Sequence, residues 1–360
     1  MSGPEDGRTE QSPTAESRSC PPPRPLRALA PAKVNLGLFI GPTGPSGRHE
    51  LVSVMQSISL ADVVTLEPAE PGEGADAVLC PGVPGEPSQN IAALALGAFR
   101  SLTGWGAPPL RVTVEKRVPV AAGLGGGSGD AAAVLRLAAR AAGVRVDSRE
   151  VMELAARLGS DVPAQVHPGR WLALGSGERL RALAEPTPPL GIAVLPVPVA
   201  LTAAAVYAEA DRMGVCRTPG ELDRLRGAIE AAHSAQGHAA TPPAELLHND
   251  LEAPARSLCP AIGEALARMR ATGAAHVLVS GSGPTVGGLF GGPEGVRLAR
   301  EAAEGLRAEG DGGGAADVLG APSAAVAVDA SFGDPRELEP SETSGDPVGM
   351  PGCHNGASSP

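Results

Sequence analysis

Pro119-Val120-Ala121-Ala122-Gly123-Leu124-Gly125-Gly126-Gly127-Ser128-Gly129-Asp130 lies between two stretches of different periodicity. Before it, Leu110, Val112 and Val114 alternate with Arg111, Thr113 and Glu115, which predicts a β-strand. After it, an alanine-rich stretch runs through Leu135 and Leu137 to Ala142, and Gly143 supplies a stop signal, which predicts a helix. A glycine-rich loop therefore joins a strand to the start of a helix. Glycines let backbone N–H groups come close to a ligand, and a helix N-terminus favours negative charge. Ser128 is placed to cap the helix and to face a metal–phosphate group. A di- or triphosphate is the ligand class that such a loop takes.

Two common phosphate-binding classes do not fit. After Gly123-x-Gly125 the dinucleotide fingerprint needs glycine or alanine where Ser128 stands, which disfavours an NAD-dependent oxidoreductase. No Gly-Lys-Ser/Thr follows the glycines, so the loop is not of the Walker type.

A chain of 360 residues can bury a good core and is long enough for two domains. Aromatic residues make up only 2%, so the core must rest on Leu, Val, Ile and Ala. The formal net charge of -11 argues against nucleic acid as a partner. The five cysteines, Cys20, Cys80, Cys216, Cys259 and Cys353, are scattered without a C-x-x-C pair, so neither a disulfide framework nor a zinc site is expected. The start of the chain lacks the apolar run of a signal peptide, and no stretch is apolar enough to span a membrane. The expectation is a cytoplasmic protein, no membrane partner, and a monomer or homodimer.

Residues 1–27 read as a disordered, proline-rich leader, and residues 329–360 as a disordered tail rich in Pro, Gly, Ser and acidic groups. Between them, residues 28–190 alternate strands and helices around the glycine loop. Thr187-Pro188-Pro189-Leu190 marks a boundary to a second domain, 191–328, with a glycine-rich break from Gly310 to Gly314 near its end.

Five further motifs can carry chemistry. In Ala30-Pro31-Ala32-Lys33-Val34-Asn35-Leu36-Gly37-Leu38 the alternation predicts a strand with Lys33 and Asn35 on one face. That pair suits an attacking hydroxyl and a phosphate, or else forms an ordinary polar edge. In Gly159-Ser160-Asp161-Val162-Pro163 a helix ends and a turn begins, and helix capping is the common use of an aspartate there. Gly47-Arg48-His49-Glu50-Leu51 places a histidine beside a charged surface residue. In Ala200-Leu201-Thr202-Ala203, Thr202 can cap the following helix. Near the end, Ser280-Gly281-Ser282-Gly283-Pro284-Thr285 separates two short strands, His276 to Val279 and Val286 to Phe290, as a hairpin would.

Taken together and in this order, these motifs resemble the GHMP kinases from about Ala30 to about Phe290. Within that superfamily they are similar to the 4-diphosphocytidyl-2-C-methyl-D-erythritol kinase family. The resemblance implies an α+β fold of two domains with the active site in the interdomain cleft. It implies ATP across residues 119–129, with Mg²⁺ bridging its phosphates and faced by Ser128. It further implies Asp161 as catalytic base, Lys33 as its catalytic electrostatic partner, and the 2-hydroxyl of the cytidine diphosphate methylerythritol as nucleophile. Asn35, Arg48, His49 and Thr202 are implied in substrate binding, and the segment near Asn90 in adenine contacts. Asn249-Asp250-Leu251-Glu252 resembles the family's structural helix start, and residues 280–285 its second glycine-rich wall. Arg48 stands where the family has a tyrosine that stacks on the cytosine, and a guanidinium can also stack on a base. Gly129 stands where a second serine is usual, leaving backbone amides and Ser128 for the phosphates.

Overall fold

The computed structural model describes residues 23–45, 47–234, 242–310 and 326–329. Residues 1–22 of the expected leader, 311–314 of the glycine-rich break and 330–360 of the expected tail lie outside the described residues.

Two long strands organise the first half. β1 (Leu26–Thr43) and β2 (His49–Pro68) form an antiparallel pair over most of their length. β1 begins inside the stretch read as leader: Leu26 pairs with Leu66 and Arg27 with Thr65. Apolar Leu26 and the Arg27–Glu115 ion pair at 3.2 Å tie this start to the sheet, a tertiary gain invisible in the local polarity. β3 (Ala77–Leu79), β4 (Leu110–Glu115), β5 (Arg170–Gly175) and β6 (Arg179–Leu183) complete a six-stranded sheet. The free edge of β2 is shared: β4 pairs with its second half and β5 with its first. β7 (Gly191–Leu195), β8 (His276–Val279), β9 (Val286–Phe290) and β10 (Val326–Asp329) form a second, antiparallel sheet in the order β10-β7-β9-β8.

Helices cover these sheets. α1 (Ile91–Thr103), α2 (Gly126–Ala142), α3 (Arg149–Leu158) and α4 (Val162–Val166) belong to the first half. α5 (Ala203–Met213), α6 (Pro219–Ser234), α7 (Glu252–Leu258), α8 (Ala261–Ala271) and α9 (Gly295–Gly310) belong to the second. Local chemistry sets several ends. The Asn90 side chain accepts from Ala92 N to start α1, and the Ser148 hydroxyl accepts from Val151 N to start α3. Gly104 and Gly143 close α1 and α2 with the left-handed backbone that favours glycine.

With few aromatics, aliphatic side chains do the packing. Leu66, Leu110, Val114, Leu135 and Phe99 bury fully between the first sheet and α1–α3. Each Leu or Phe so buried contributes roughly 1.5–3 kcal/mol. A second cluster joins the two sheets, with Val34 and Leu36 of β1, Ile192 of β7, Leu278 of β8 and Leu289 of β9. β1 therefore runs between two covered faces, so its residues are buried on both sides rather than alternating in exposure.

Candidate active site

The glycine loop sits where the two halves meet. It leaves β4 and enters α2 through Gly125, which holds φ 69° at the N-cap position. Ser128 is therefore not the cap but lies in the first turn of α2, half-buried. The loop glycine supplies the required left-handed backbone more cheaply than serine, which leaves the hydroxyl available to the cleft. Its Oγ lies 3.8 Å from the point where a Cβ on Gly159 would stand, beside the Asp161 turn.

Several contacts fix the loop. Lys33 N donates to Leu124 O at 2.8 Å, and Gln165 Nε2 donates to Gly125 O at 2.8 Å. From the second sheet, Thr285 N donates to Ala122 O at 3.4 Å and Ser280 Oγ donates to Gly123 O at 3.4 Å. Gly123 holds φ 75°, and a Cβ there would stand 2.3 Å from Gly283 O. The two glycine-rich turns thus touch backbone to backbone, which no side chain at Gly123 would permit. Ala121 is the one non-glycine residue with positive φ, 57°, among the described residues. That conformation costs an L-residue about 1–2 kcal/mol and is held by the surrounding contacts.

Residues 280–285 do form the turn of the β8–β9 hairpin, with Ser280 N donating to Thr285 O at 2.9 Å. Ser280 and Thr285 are fully buried, and the wall presented to the first loop combines the Ser280 hydroxyl and the Thr285 N–H with the backbone at Gly283. Asn249 holds this wall: its Nδ2 donates to Val279 O and to Gly281 O, both at 2.7 Å. Asp250 accepts from Ile40 N of β1 and from both Nε and Nη2 of Arg217.

Outside the loop lies a cavity of about 500 Å³. Residues 119–128 line one side, and Val78, Cys80, Val83, Asn90 and Ile91 line the other. Gly129 is not on that lining. It is buried with its Cβ position 3.0 Å from Pro31 O, so it lets α2 approach β1 instead of facing the phosphate site. At the floor, Lys116 Nζ donates to Asp62 Oδ2 at 2.5 Å and to Asp130 Oδ2 at 2.8 Å. Burial pushes Asp130 up to about 7, against the pull of Lys116 and with the push of Asp62.

Lys33 and Asp161 come together from elements far apart in sequence, their Nζ and Oδ2 lying 3.3 Å apart. Lys33 is nearly buried, while Asp161 keeps about a quarter of its side chain open. Lys33 also donates to Asn35 Oδ1 at 2.8 Å, and Asn35 Nδ2 donates to Ser53 Oγ at 2.8 Å. A relay of polar side chains thus aims the ammonium. Asp161 occupies the N-cap position of α4 but makes no side-chain cap hydrogen bond. The capping expectation fails because Lys33 holds the carboxylate instead.

The remaining expected residues lie close by or apart. His49 is buried, with Nδ1 2.8 Å from Gly41 O, and its ring stacks on Tyr207 at 5.2 Å between centroids. Arg48 is exposed. Thr202 is exposed and caps α5, accepting from Ala205 N at 3.2 Å. Tyr207 was not singled out in the sequence. Its phenol is pushed up to about 12 by burial and by the Asp161 carboxylate, so it stays neutral beside the Lys33–Asp161 pair. The signal for it was available as the one tyrosine of the chain, five residues into the helix that Thr202 caps.

The chain is similar to known proteins over most of its length. Residues 90–169 match the GHMP kinases N terminal domain and residues 222–310 the GHMP kinases C terminal domain. The 4-diphosphocytidyl-2-C-methyl-D-erythritol kinase of Anaeromyxobacter sp. (strain K) is 42% identical over 294 residues, covering 80% of this chain and 88% of that relative. The enzyme of the same name from Streptomyces coelicolor is 36% identical over 304 residues, covering 83% and 98%. A crystal structure of 4-(cytidine 5'-diphospho)-2C-methyl-D-erythritol kinase superposes with a TM-score of 0.63 at 33% identity, covering 84% of this chain and 98% of that one. A homoserine kinase from Cytophaga hutchinsonii, at 15% identity and a TM-score of 0.57, shares the fold.

Proposed function

The chain belongs to the 4-diphosphocytidyl-2-C-methyl-D-erythritol kinase family of the GHMP kinases, and we propose that it transfers the γ-phosphoryl group of ATP to the 2-hydroxyl of 4-diphosphocytidyl-2-C-methyl-D-erythritol. It is a small-molecule kinase with an α+β fold and an interdomain active-site cleft. The observation that carries the mechanism is the Lys33–Asp161 pair at 3.3 Å beside the glycine loop.

ATP phosphates lie along the amides of residues 123–127 and the N-terminus of α2, where unpaired N–H groups and the helix dipole favour negative charge. The cavity of about 500 Å³ is of the size that takes a nucleotide, and its wall around Asn90 and Ile91 is the candidate adenine side. Asp161 accepts the proton of the attacking hydroxyl, and the Lys33 ammonium offsets charge as the phosphoryl group moves. Asn35 and Ser53 keep the ammonium on that line. Ser128 Oγ, in the first turn of α2 beside the Asp161 turn, is a hard oxygen donor of the kind that would hold Mg²⁺. Held there, Mg²⁺ would neutralise phosphate charge.

The stacked rings of His49 and Tyr207 form the candidate face for the nucleoside base. Arg48, exposed one residue before His49, is the candidate for stacking from the other side. Thr202 caps α5, the helix that carries Tyr207.

The test is ATP turnover with Mg²⁺ against diphosphocytidyl-methylerythritol, homoserine, mevalonate, phosphomevalonate and galactose. Turnover confined to the first is expected. Turnover of another alcohol, or ATP binding without transfer to any of them, overturns the assignment.

A further inference from the structure

A second group of side chains meets at the outer end of the β1–β2 pair. His49 Nδ1 lies 2.8 Å from the Gly41 carbonyl oxygen, so Nδ1 carries the proton and Nε2 keeps its lone pair. A metal-binding histidine commonly donates its other ring N–H to a backbone carbonyl in this way. His49 Nε2 faces Asp211 Oδ1 at 3.4 Å. Cys216 Sγ lies 3.8 Å from the same carboxylate oxygen and 3.8 Å from Nδ1 on the near edge of the His49 ring. One donor atom from each of the three residues lies within 4.8 Å of the others.

The backbone holds these donors together without help from a ligand. His49 is in register with Thr43 across the β1–β2 pair. Asp211 projects from α5 one turn beyond Tyr207. α5 closes at Gly214, and Val215 N donates back to Ala210 O at 3.2 Å. Arg217 N then donates to Ile40 O at 2.8 Å, so Cys216 is held between helix and strand. Among the described residues this is the one group of three His, Cys, Asp or Glu donors so arranged.

We propose that His49 Nε2, the Asp211 carboxylate and Cys216 Sγ form a three-ligand site for a borderline transition metal of the zinc type. An imidazole, a thiolate and a carboxylate suit Zn²⁺ and exclude Mg²⁺, which prefers oxygen alone. Tetrahedral bonds of about 2.0–2.3 Å separate neighbouring donors by roughly 3.3–3.7 Å, and the spacings to Asp211 are 3.4 and 3.8 Å. Three protein ligands leave the fourth position to water. On binding, the Cys216 thiol gives its proton to solvent and its sulfur lone pair to the metal. Asp211 is exposed and Cys216 half-buried, which leaves a path for the ion. A consequence rests on the functional reading above: an ion on Nε2 takes His49 away from the nucleoside base, so zinc competes with the cytidine substrate.

The experiment titrates the full chain with Co²⁺ and reads its absorption spectrum. Expected is about one Co²⁺ per chain, with a near-ultraviolet sulfur-to-cobalt charge-transfer band that Zn²⁺ displaces. Cys216→Ser should abolish the band, Asp211→Asn should weaken binding by about tenfold or more, and Cys259→Ser, at a free cysteine away from both sites, should leave the band unchanged. No band in the wild type, or a band that survives Cys216→Ser in a folded variant, overturns the proposal. Zn²⁺ should also raise KM for the cytidine substrate in the wild type, with kcat unchanged, and should leave both KM and kcat unchanged in Cys216→Ser. A cobalt band with a zinc-insensitive KM leaves the metal site standing and removes His49 from the base site.

Discussion

At the scale of single residues, Lys33 and Asp161 show what a local reading can and cannot reach. Alternation around Lys33 predicted its strand and its shared face with Asn35, and both hold. Asp161 read locally as a cap, because its neighbours are a helix end and a proline. The structure leaves the cap unmade and turns the carboxylate to a lysine 128 positions earlier, a partner that only tertiary folding supplies. Asp161→Asn should lower kcat by roughly 10²–10⁴-fold, the usual worth of a positioned general base. Circular dichroism should stay unchanged, and a near-normal kcat would remove Asp161 from the chemistry. Gly123 makes a second case. Its φ of 75° and the 2.3 Å approach of Gly283 O to its Cβ position leave no space for a side chain. Gly123→Ala should cost about 1–2 kcal/mol from the backbone conformation alone, with a further loss as the two turns separate. Thermal unfolding and ATP binding should both fall, whereas an unchanged melting temperature would mean that the turns do not touch in solution.

At the scale of elements, β4, the glycine loop and α2 were legible because three local signals coincide: alternation, glycines and an alanine-rich run. The helix start was not legible to the residue, since Ser128 looks like a cap until Gly125 takes the left-handed turn. Residues 280–285 read as a plain hairpin, and so they are, but their packing against the first loop depends on Asn249. Asn249→Ala strands two buried carbonyls and should cost about 1–3 kcal/mol. A raised KM for ATP should accompany the lower melting temperature, because the wall behind the phosphate loop loosens. A stability loss with KM unchanged would show that the wall matters only to folding. Beneath the loop, Asp62, Lys116 and Asp130 join β2, the start of the loop and α2 with two carboxylates and one ammonium. Asp130 sits at about 7 in the fold, above its ordinary value of 3.8. The folded state therefore holds a proton that the unfolded chain has lost. This contribution to stability is complete below about pH 4 and is lost as pH rises through about 7. Asp130→Asn keeps an acceptor for Lys116 and removes the titration. Its melting temperature should exceed that of the wild type above neutral pH and converge with it in acid, and parallel pH profiles would refute the assignment.

At the scale of the whole molecule, the proline-rich segment 187–190 suggested a divide into two domains, and β7 of the second sheet starts at Gly191. What the local sequence could not carry is how much the two halves share. Val34 and Leu36 of β1 lie in one buried cluster with Leu190, Ile192, Leu278 and Leu289 of the second half. β1 also reaches the second half through backbone bonds: Leu38 N donates to His248 O at 2.8 Å, and Asp250 N donates to Leu38 O at 2.9 Å. Inter-domain contacts within a chain are often polar and modest in area, and halves joined so weakly unfold separately. Here a buried apolar cluster lies at the joint, so exposing it would cost either half its stability. Calorimetry should therefore give one transition, with calorimetric and van't Hoff enthalpies equal. Ile192→Ala, a change in the second sheet, should lower that single transition by the equivalent of about 2–5 kcal/mol. Two resolved transitions, with only one moved by Ile192→Ala, would mean that the halves fold independently and that the cleft between them is free to open without breaking a core.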